Sequence, residues 1–290
     1  MLYVFIAGIL WGTIGIFVKE LNSLGADSSL IIFLRMFSAL IIILLLALLK
    51  YGTKIFIRDK KTILFCALLG FVSNGLFNIF YTASIKLNGM GIACVLMYTA
   101  PIFTAIASWI LFHEKFSRLK IFALILNIFG CILTVTGGSI FNNADISLIG
   151  ILAGLGSGFG YGMAAIFGKA AAEKTDPLIV SIYSYFFAVI FLLAFNPPNF
   201  NAAFNDVKIF VVGALYGFIP TAFAYVIYYI GLQKIKDTSK VPVIASIEPV
   251  TAVLIGTLLY NEQVREANFV GFVVVLFSIA IMMKEKNKFI

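Results

Sequence analysis

The chain has 290 residues, 62% of them hydrophobic and only 12% charged, with a mean hydropathy of +1.07 and a formal net charge of +8. A globular domain carries about 25% charged residues, so this composition excludes an ordinary soluble fold and points to a membrane protein. The Lys and Arg residues fall in short polar breaks between apolar runs, not in one patch or tail, which speaks for membrane topology and against nucleic acid as a partner.

Taken in chain order, the first stretch, Met1 to Val18, is apolar but lacks a basic lead and a clear small-residue cleavage site, so it is expected to be a retained helix. Apolar runs bounded by polar or Gly/Pro breaks then predict ten helices, over 3–21, 29–49, 62–85, 90–112, 119–138, 147–169, 178–195, 207–232, 240–260 and 267–284. Most approach the roughly 20 residues that a hydrocarbon core of about 30 Å requires. Cys66, Cys94 and Cys131 all lie inside apolar runs and offer no disulfide framework.

Cationic residues fix an expected orientation, because they are enriched in cytoplasmic loops. With a cytoplasmic amino terminus, the inner segments hold Lys50, Lys54, Arg58, Lys60 and Lys61, then Lys115, Arg118 and Lys120, then Lys169 and Lys174. They continue with Lys234, Lys236 and Lys240, and with Lys284, Lys286 and Lys288. Only Lys19, Lys86, Lys208 and Arg265 fall outside, and Arg35 lies within the second helix. Both termini are therefore expected in the cytoplasm.

The chain also repeats itself. Gly8, Trp11, Gly12, Ile16, Phe17 and Lys19 of the first helix align with Gly158, Tyr161, Gly162, Ile166, Phe167 and Lys169 of the sixth. Ala100-Pro101 to His113-Glu114 in the fourth helix aligns likewise with Glu248-Pro249 to Asn261-Glu262 in the ninth. The expected fold class is therefore an all-α polytopic membrane protein of ten transmembrane helices in two five-helix repeats, 1–138 and 139–290. Five is odd, so the second repeat must be inverted, an arrangement found in secondary transporters with a substrate site at the repeat interface.

The residues that can carry chemistry lie in these spans. Glu248 is an acid near the middle of an apolar run, and a charge at bilayer depth costs about 2.5–3.5 kcal/mol even on lenient scales, so it is a functional candidate. Pro101 and Pro249 occupy equivalent positions, where each breaks the helical ladder and serves as a hinge candidate. The carbonyls they free, at Met97 and Ala245, either line a cavity or are covered by packing. Trp11, Asn78, Tyr81, Tyr98, Tyr161, Tyr225 and Tyr229 share inward faces with Glu248 and form the expected aromatic, partly polar substrate cavity; interfacial anchoring is the competing role for each tyrosine.

Arg35 is either a further substrate-binding residue, for a carboxylate, or a snorkelling side chain. The glycine stripes Gly8/Gly12 and Gly154/Gly158/Gly162 suit close helix approach. Glu114 and Glu262 are expected to anchor loops in water, and His113, the sole histidine, sits beside Glu114. A nucleotide-binding phosphate loop is absent, since Met163 stands where its glycine would be.

With Leu10-Trp11-Gly12, Leu34-Arg35-Met36-Phe37 and the two Pro-to-Glu segments in order and in duplicate, the whole chain resembles the EamA-type transporters of the drug/metabolite transporter superfamily. That resemblance implies secondary transport, often export, of amino acids or similar small metabolites across the bacterial inner membrane. The expectation is thus a non-enzymatic exporter working by alternating access in the lipid bilayer, with a small-molecule substrate. Protons are the candidate coupling ion, and no cofactor or metal is expected. The alternatives are uptake of an organic cation such as choline, for which an aromatic box beside a carboxylate is suited, and a receptor or scaffold without flux.

Overall fold

A computed structural model describes residues 1–57, 59–138, 147–201 and 206–285. Arg58, Lys286, Lys288 and the side chain of Lys54, which entered the orientation reading, lie outside the described residues, and the expected repeat boundary at 138/139 falls at the edge of one undescribed segment. The described chain is all helical. Its spans are α1 (Leu2–Ser23), α2 (Ser28–Tyr51), α3 (60–88), α4 (90–112), α5 (Arg118–Thr136), α6 (Leu148–Ala172), α7 (Pro177–Phe195), α8 (Lys208–Lys234), α9 (Thr238–Tyr260) and α10 (Glu266–Lys284).

The starts follow from local chemistry. Side chains of Asp27, Asp59, Ser117, Ser147 and Asp176 accept the first free amides of α2, α3, α5, α6 and α7, the N-cap role these residues fill best. Gly89, at φ 81° and ψ 162°, divides α3 from α4 without a loop; that region of backbone space belongs to glycine. The ends of α4 and α9 are matched as well. His113 and Asn261 both close their helices at φ 53° and ψ 32°, in the left-handed region.

Both α4 and α9 are discontinuous. Tyr98 (φ −73°, ψ 7°) and Ser246 (φ −69°, ψ 8°) interrupt them at equivalent points, and Pro101 and Pro249 follow in the first turns of the second half-helices. Glycines of α1 and α6 approach the carbonyls near these breaks closely. A Cβ on Gly8 would stand 2.6 Å from the Ala245 carbonyl oxygen, and one on Gly158 would stand 2.7 Å from that of Leu96. A Cβ on Gly12 would likewise meet the Glu248 carbonyl at 3.0 Å, and one on Gly162 that of Ala100 at 2.7 Å. Glycine is required at these crossings because only a bare backbone fits against a backbone oxygen.

A second paired irregularity lies in α3 and α8, which widen to π-helix over Leu69–Leu76 and Phe218–Phe223. Such widenings re-aim side chains and often mark functional positions. α1 packs on α8 and α9, α6 on α3 and α4, and α5 runs along α10. Leu49, Ile125, Leu152, Leu193, Phe195 and Leu258 are among many large apolar residues left exposed on the outer faces, as a lipid-facing surface requires.

Both described chain ends lie at one end of the bundle. There Lys234 donates to the Tyr3 hydroxyl (3.2 Å), and Lys240 donates to the Glu285 carbonyl oxygen (2.6 Å).

Candidate functional site

Buried rings from α1, α6 and α8 meet at the centre of the bundle. Trp11 stands 5.0 Å from Tyr225, 5.1 Å from Tyr228 and 6.3 Å from Tyr161, centroid to centroid. Tyr229 packs behind at 5.9 Å from Tyr225. Tilted and edge-on arrangements at such separations are the favoured ones for aromatic pairs. Between Trp11, Tyr161, Tyr225 and Tyr228, with Ala164, Pro242 and Ala245 closing the floor, remains a cavity of about 10 Å³. That is room for about one water.

A charge lies at each side of this row. The Tyr161 hydroxyl donates to Glu248 Oε2 at 2.6 Å. The break at Ser246 places Glu248 in the first turn of the half-helix Ile247–Tyr260, where free backbone amides favour a carboxylate. On the other side Arg35 is buried in α2 and donates from Nε to the Thr221 hydroxyl at 3.1 Å. Its guanidinium lies 5.4 Å from the Tyr216 ring centroid, with the Tyr225 hydroxyl beside it. Thr221 in turn donates to the Tyr216 carbonyl (3.0 Å), five residues back, a contact created by the π-widened turn of α8. Arg35 therefore does not snorkel, and among the described residues it forms no ion pair with Glu248.

The expected site residues are brought together unevenly. Trp11, Tyr161, Tyr225, Tyr229 and Glu248 share the central cluster. Tyr81 and Tyr98 belong to an adjoining one, where Phe77 stacks on Tyr161 at 5.7 Å and on Tyr81 at 5.9 Å. The Tyr81 hydroxyl is 2.8 Å from the Cys94 sulfur. Asn78 is buried, but its amide donates to the Asn74 carbonyl of its own helix at 2.6 Å. Asn74 donates across to Ser184 Oγ at 2.9 Å. Sequence reasoning passed over Tyr216 and Tyr185, whose ring lies 6.0 Å from that of Tyr225. The usable signal was Arg35 itself, since a buried guanidinium needs partners from another helix.

A second polar cluster closes the end of the bundle that carries the termini. Lys120 and Lys240 are 1% and 2% exposed, although their positions in short polar breaks suggested solvated loop charges. Lys120 Nζ lies 2.7 Å from Asp237 Oδ2, and Lys240 Nζ lies 3.9 Å from the same carboxylate and 3.3 Å from that of Glu285. Burial works against the Asp237 carboxylate, but the hydrogen bonds donated by Lys120 and Ser239 and the charge of Lys120 outweigh it and hold Asp237 below the usual range. Glu114 does not sit in water as expected: its side chain is 10% exposed, and it accepts from the amides of Thr238 (2.7 Å) and Ser239 (3.1 Å).

Among the described residues, ten apolar helices surround an aromatic centre bordered by charges, and two of them are broken near that centre, the architecture of a polytopic membrane protein. The chain belongs to the EamA-like transporter family, which it matches over residues 1–136 and again over 148–284. It is 26% identical over 280 residues to an uncharacterized transporter of Archaeoglobus fulgidus, covering 97% of this chain and 94% of that protein. It is also 26% identical to the uncharacterized transporter YdfC of Bacillus subtilis, over 88% of this chain and 82% of that one. A solved crystal structure shares the fold at a TM-score of 0.79 and 15% identity, covering 97% of this chain and 94% of its own.

Proposed function

We propose that the protein is a secondary transporter that exports amino acids or similar small zwitterionic metabolites by alternating access, its halves 1–138 and 139–290 moving about the central cluster. The observation that carries this reading is that Arg35 and Glu248 both border one aromatic cluster, Arg35 beside the Tyr225 hydroxyl and Glu248 on that of Tyr161. A guanidinium matches a substrate carboxylate, a carboxylate matches an ammonium, and the rings between them suit an apolar side chain. The unpaired indole N–H of Trp11 supplies a further donor at the same place.

The cavity, at about 10 Å³, holds no metabolite, so binding must spread the helices around it. α4 and α9 are built for that, since each bends at a break followed by Pro101 or Pro249. Glu248 is the group that would carry a proton if export is proton-coupled. The cationic loops favour a bacterial inner membrane orientation with both termini in the cytoplasm.

Reconstitution into liposomes tests the proposal: counterflow of a labelled amino acid, lowered roughly 10- to 100-fold by Glu248→Gln, is the expected result. Absence of flux for any amino acid, with binding intact, would leave a receptor. Uptake of a choline-like cation is the second reading, favoured by the packing of Trp11, Tyr225 and Tyr228 beside Glu248. Arg35 weighs against it, because a fixed cation repels a bare cation and tolerates a zwitterion. Thermal stabilisation by choline alone would reverse that judgement.

A further inference from the structure

Two matched ion-pair clusters sit at opposite ends of the bundle. At the end with the termini, Lys169 lies 4.8 Å over the Phe112 ring and 3.4 Å from Glu114. At the other end, Lys19 lies 3.9 Å over the Tyr260 ring and pairs with Glu262. These are equivalent positions: Lys19 and Lys169 are 150 residues apart, while Phe112 and Tyr260, and Glu114 and Glu262, are 148 apart. Even the backbone matches, with the Glu114 amide bonded to the Ser108 carbonyl and the Glu262 amide to that of Gly256.

They differ in what they hold: Lys169 also donates to the Lys236 carbonyl (2.6 Å) and the Thr238 hydroxyl (2.7 Å) at the start of α9. Glu114 also grips the amides of Thr238 and Ser239, and so ties the end of α4 to the start of α9. By the same offset, the counterparts of those amides are Met90 and Gly91, at the start of α4. Among the described residues no hydrogen bond joins Glu262 to either of them. Exposure follows the same division: Glu114 and Lys169 are 10% and 23% exposed, against 53% and 47% for Glu262 and Lys19.

We infer that Glu114 and Glu262 are reciprocal latches, one closing each end of the transport path. In the state described, Glu114 is closed on Thr238 and Ser239. In the opposite state Glu262 closes on Met90 and Gly91, and Glu114 lets go. Lys169 and Lys19 stay with their glutamates throughout, each ammonium lying over a ring, and Lys169 lets go of Lys236 and Thr238 when Glu114 does. An inverted repeat requires such an exchange, because each half adopts in one state the contacts its counterpart makes in the other. The closed latch spends charge-assisted bonds that exist in one state only, which is what biases a two-state equilibrium.

This inference rests on the transport reading for its meaning, but its test needs no substrate. Hydrogen exchange of the protein in nanodiscs, read at peptides spanning 236–240 and 88–92, follows the two amide pairs directly. In the unaltered protein the first pair is protected and the second exchanges fast. Glu114→Gln is expected to speed exchange at 236–240 about tenfold and to slow it at 88–92.

Glu262→Gln is expected to leave 88–92 fast and to slow 236–240 further. The double variant should return both peptides toward their original rates, a recovery that a misfolded single variant would not show. Faster exchange at 236–240 with 88–92 unchanged would make Glu114 a local helix cap and overturn the proposal. Reciprocal exchange in a protein without amino-acid flux would count against the transport reading alone.

Discussion

Glu248 accepts one short hydrogen bond from Tyr161 and lies in the first turn of a half-helix, where the helix dipole favours a carboxylate. Tyr161→Phe removes that hydrogen bond and keeps the ring, so it should weaken substrate binding modestly, by about tenfold, whereas Glu248→Gln should weaken binding and flux by roughly 10- to 100-fold. Binding by titration and flux in liposomes separate the two. Arg35→Lys should also lose about tenfold in affinity for a zwitterion, because a lysine cannot both bond Thr221 and present a flat guanidinium beside Tyr216. Asp237 behaves differently, since it is a stability residue. Asp237→Asn strands Lys120 in a buried site and should cost about 3–5 kcal/mol, seen as a lowered melting temperature in detergent, while adding Lys120→Met should recover much of the loss. Its folded value lies below the unfolded one near 3.9. The stabilisation is therefore complete above about pH 4 and fades as pH falls further, which a melting series across pH 3–6 would follow.

At the scale of elements, the breaks in α4 and α9 and the glycines that cover them act together. Gly8 and Gly158 let α1 and α6 lie directly on exposed carbonyls of the broken helices. Gly8→Val or Gly158→Val must push these helices apart, because backbone oxygens that cannot yield stand at 2.6 and 2.7 Å, beside the Ile247 and Thr99 side chains. Both are expected to lower the yield of folded protein and the melting temperature, by more than the same change at Gly15, which faces open space. The helices themselves were legible in the sequence. Expected and observed ends agree to within about three residues, because apolar runs, Asp and Ser caps, and Gly/Pro breaks are local signals. The widened turns at Leu69–Leu76 and Phe218–Phe223 were not legible. No local composition marks an extra residue in a turn; what holds it is the fit to α2 and α7 and, in α8, the bond that Thr221 makes with Arg35.

Across the whole molecule, the charges depart from the equivalence between halves. Glu248 faces Ala100 in the repeat alignment, and the buried Lys120–Asp237 pair is confined to one end. The molecule is thus symmetric in its scaffold and asymmetric in its charges. A reporter at residue 1 and another after residue 285 should both be protected on the cytoplasmic side in whole cells. Labelling of either from outside would reverse the orientation argued from the cationic loops.

The sequence by itself determined the membrane environment, the ten spans and the duplication, since each rests on composition, periodicity or internal comparison along the chain. Tertiary structure alone decided which side chains meet. It joined Glu248 to Tyr161 across 87 residues, Arg35 to Thr221 across 186 and Lys120 to Asp237 across 117. It also turned Lys120, Lys240 and Glu114 from loop charges into a buried closure. The physical reason is that a charge in a short loop reads alike whether it meets water or an opposite charge. Only packing of the other helix ends removes the water and selects the partner.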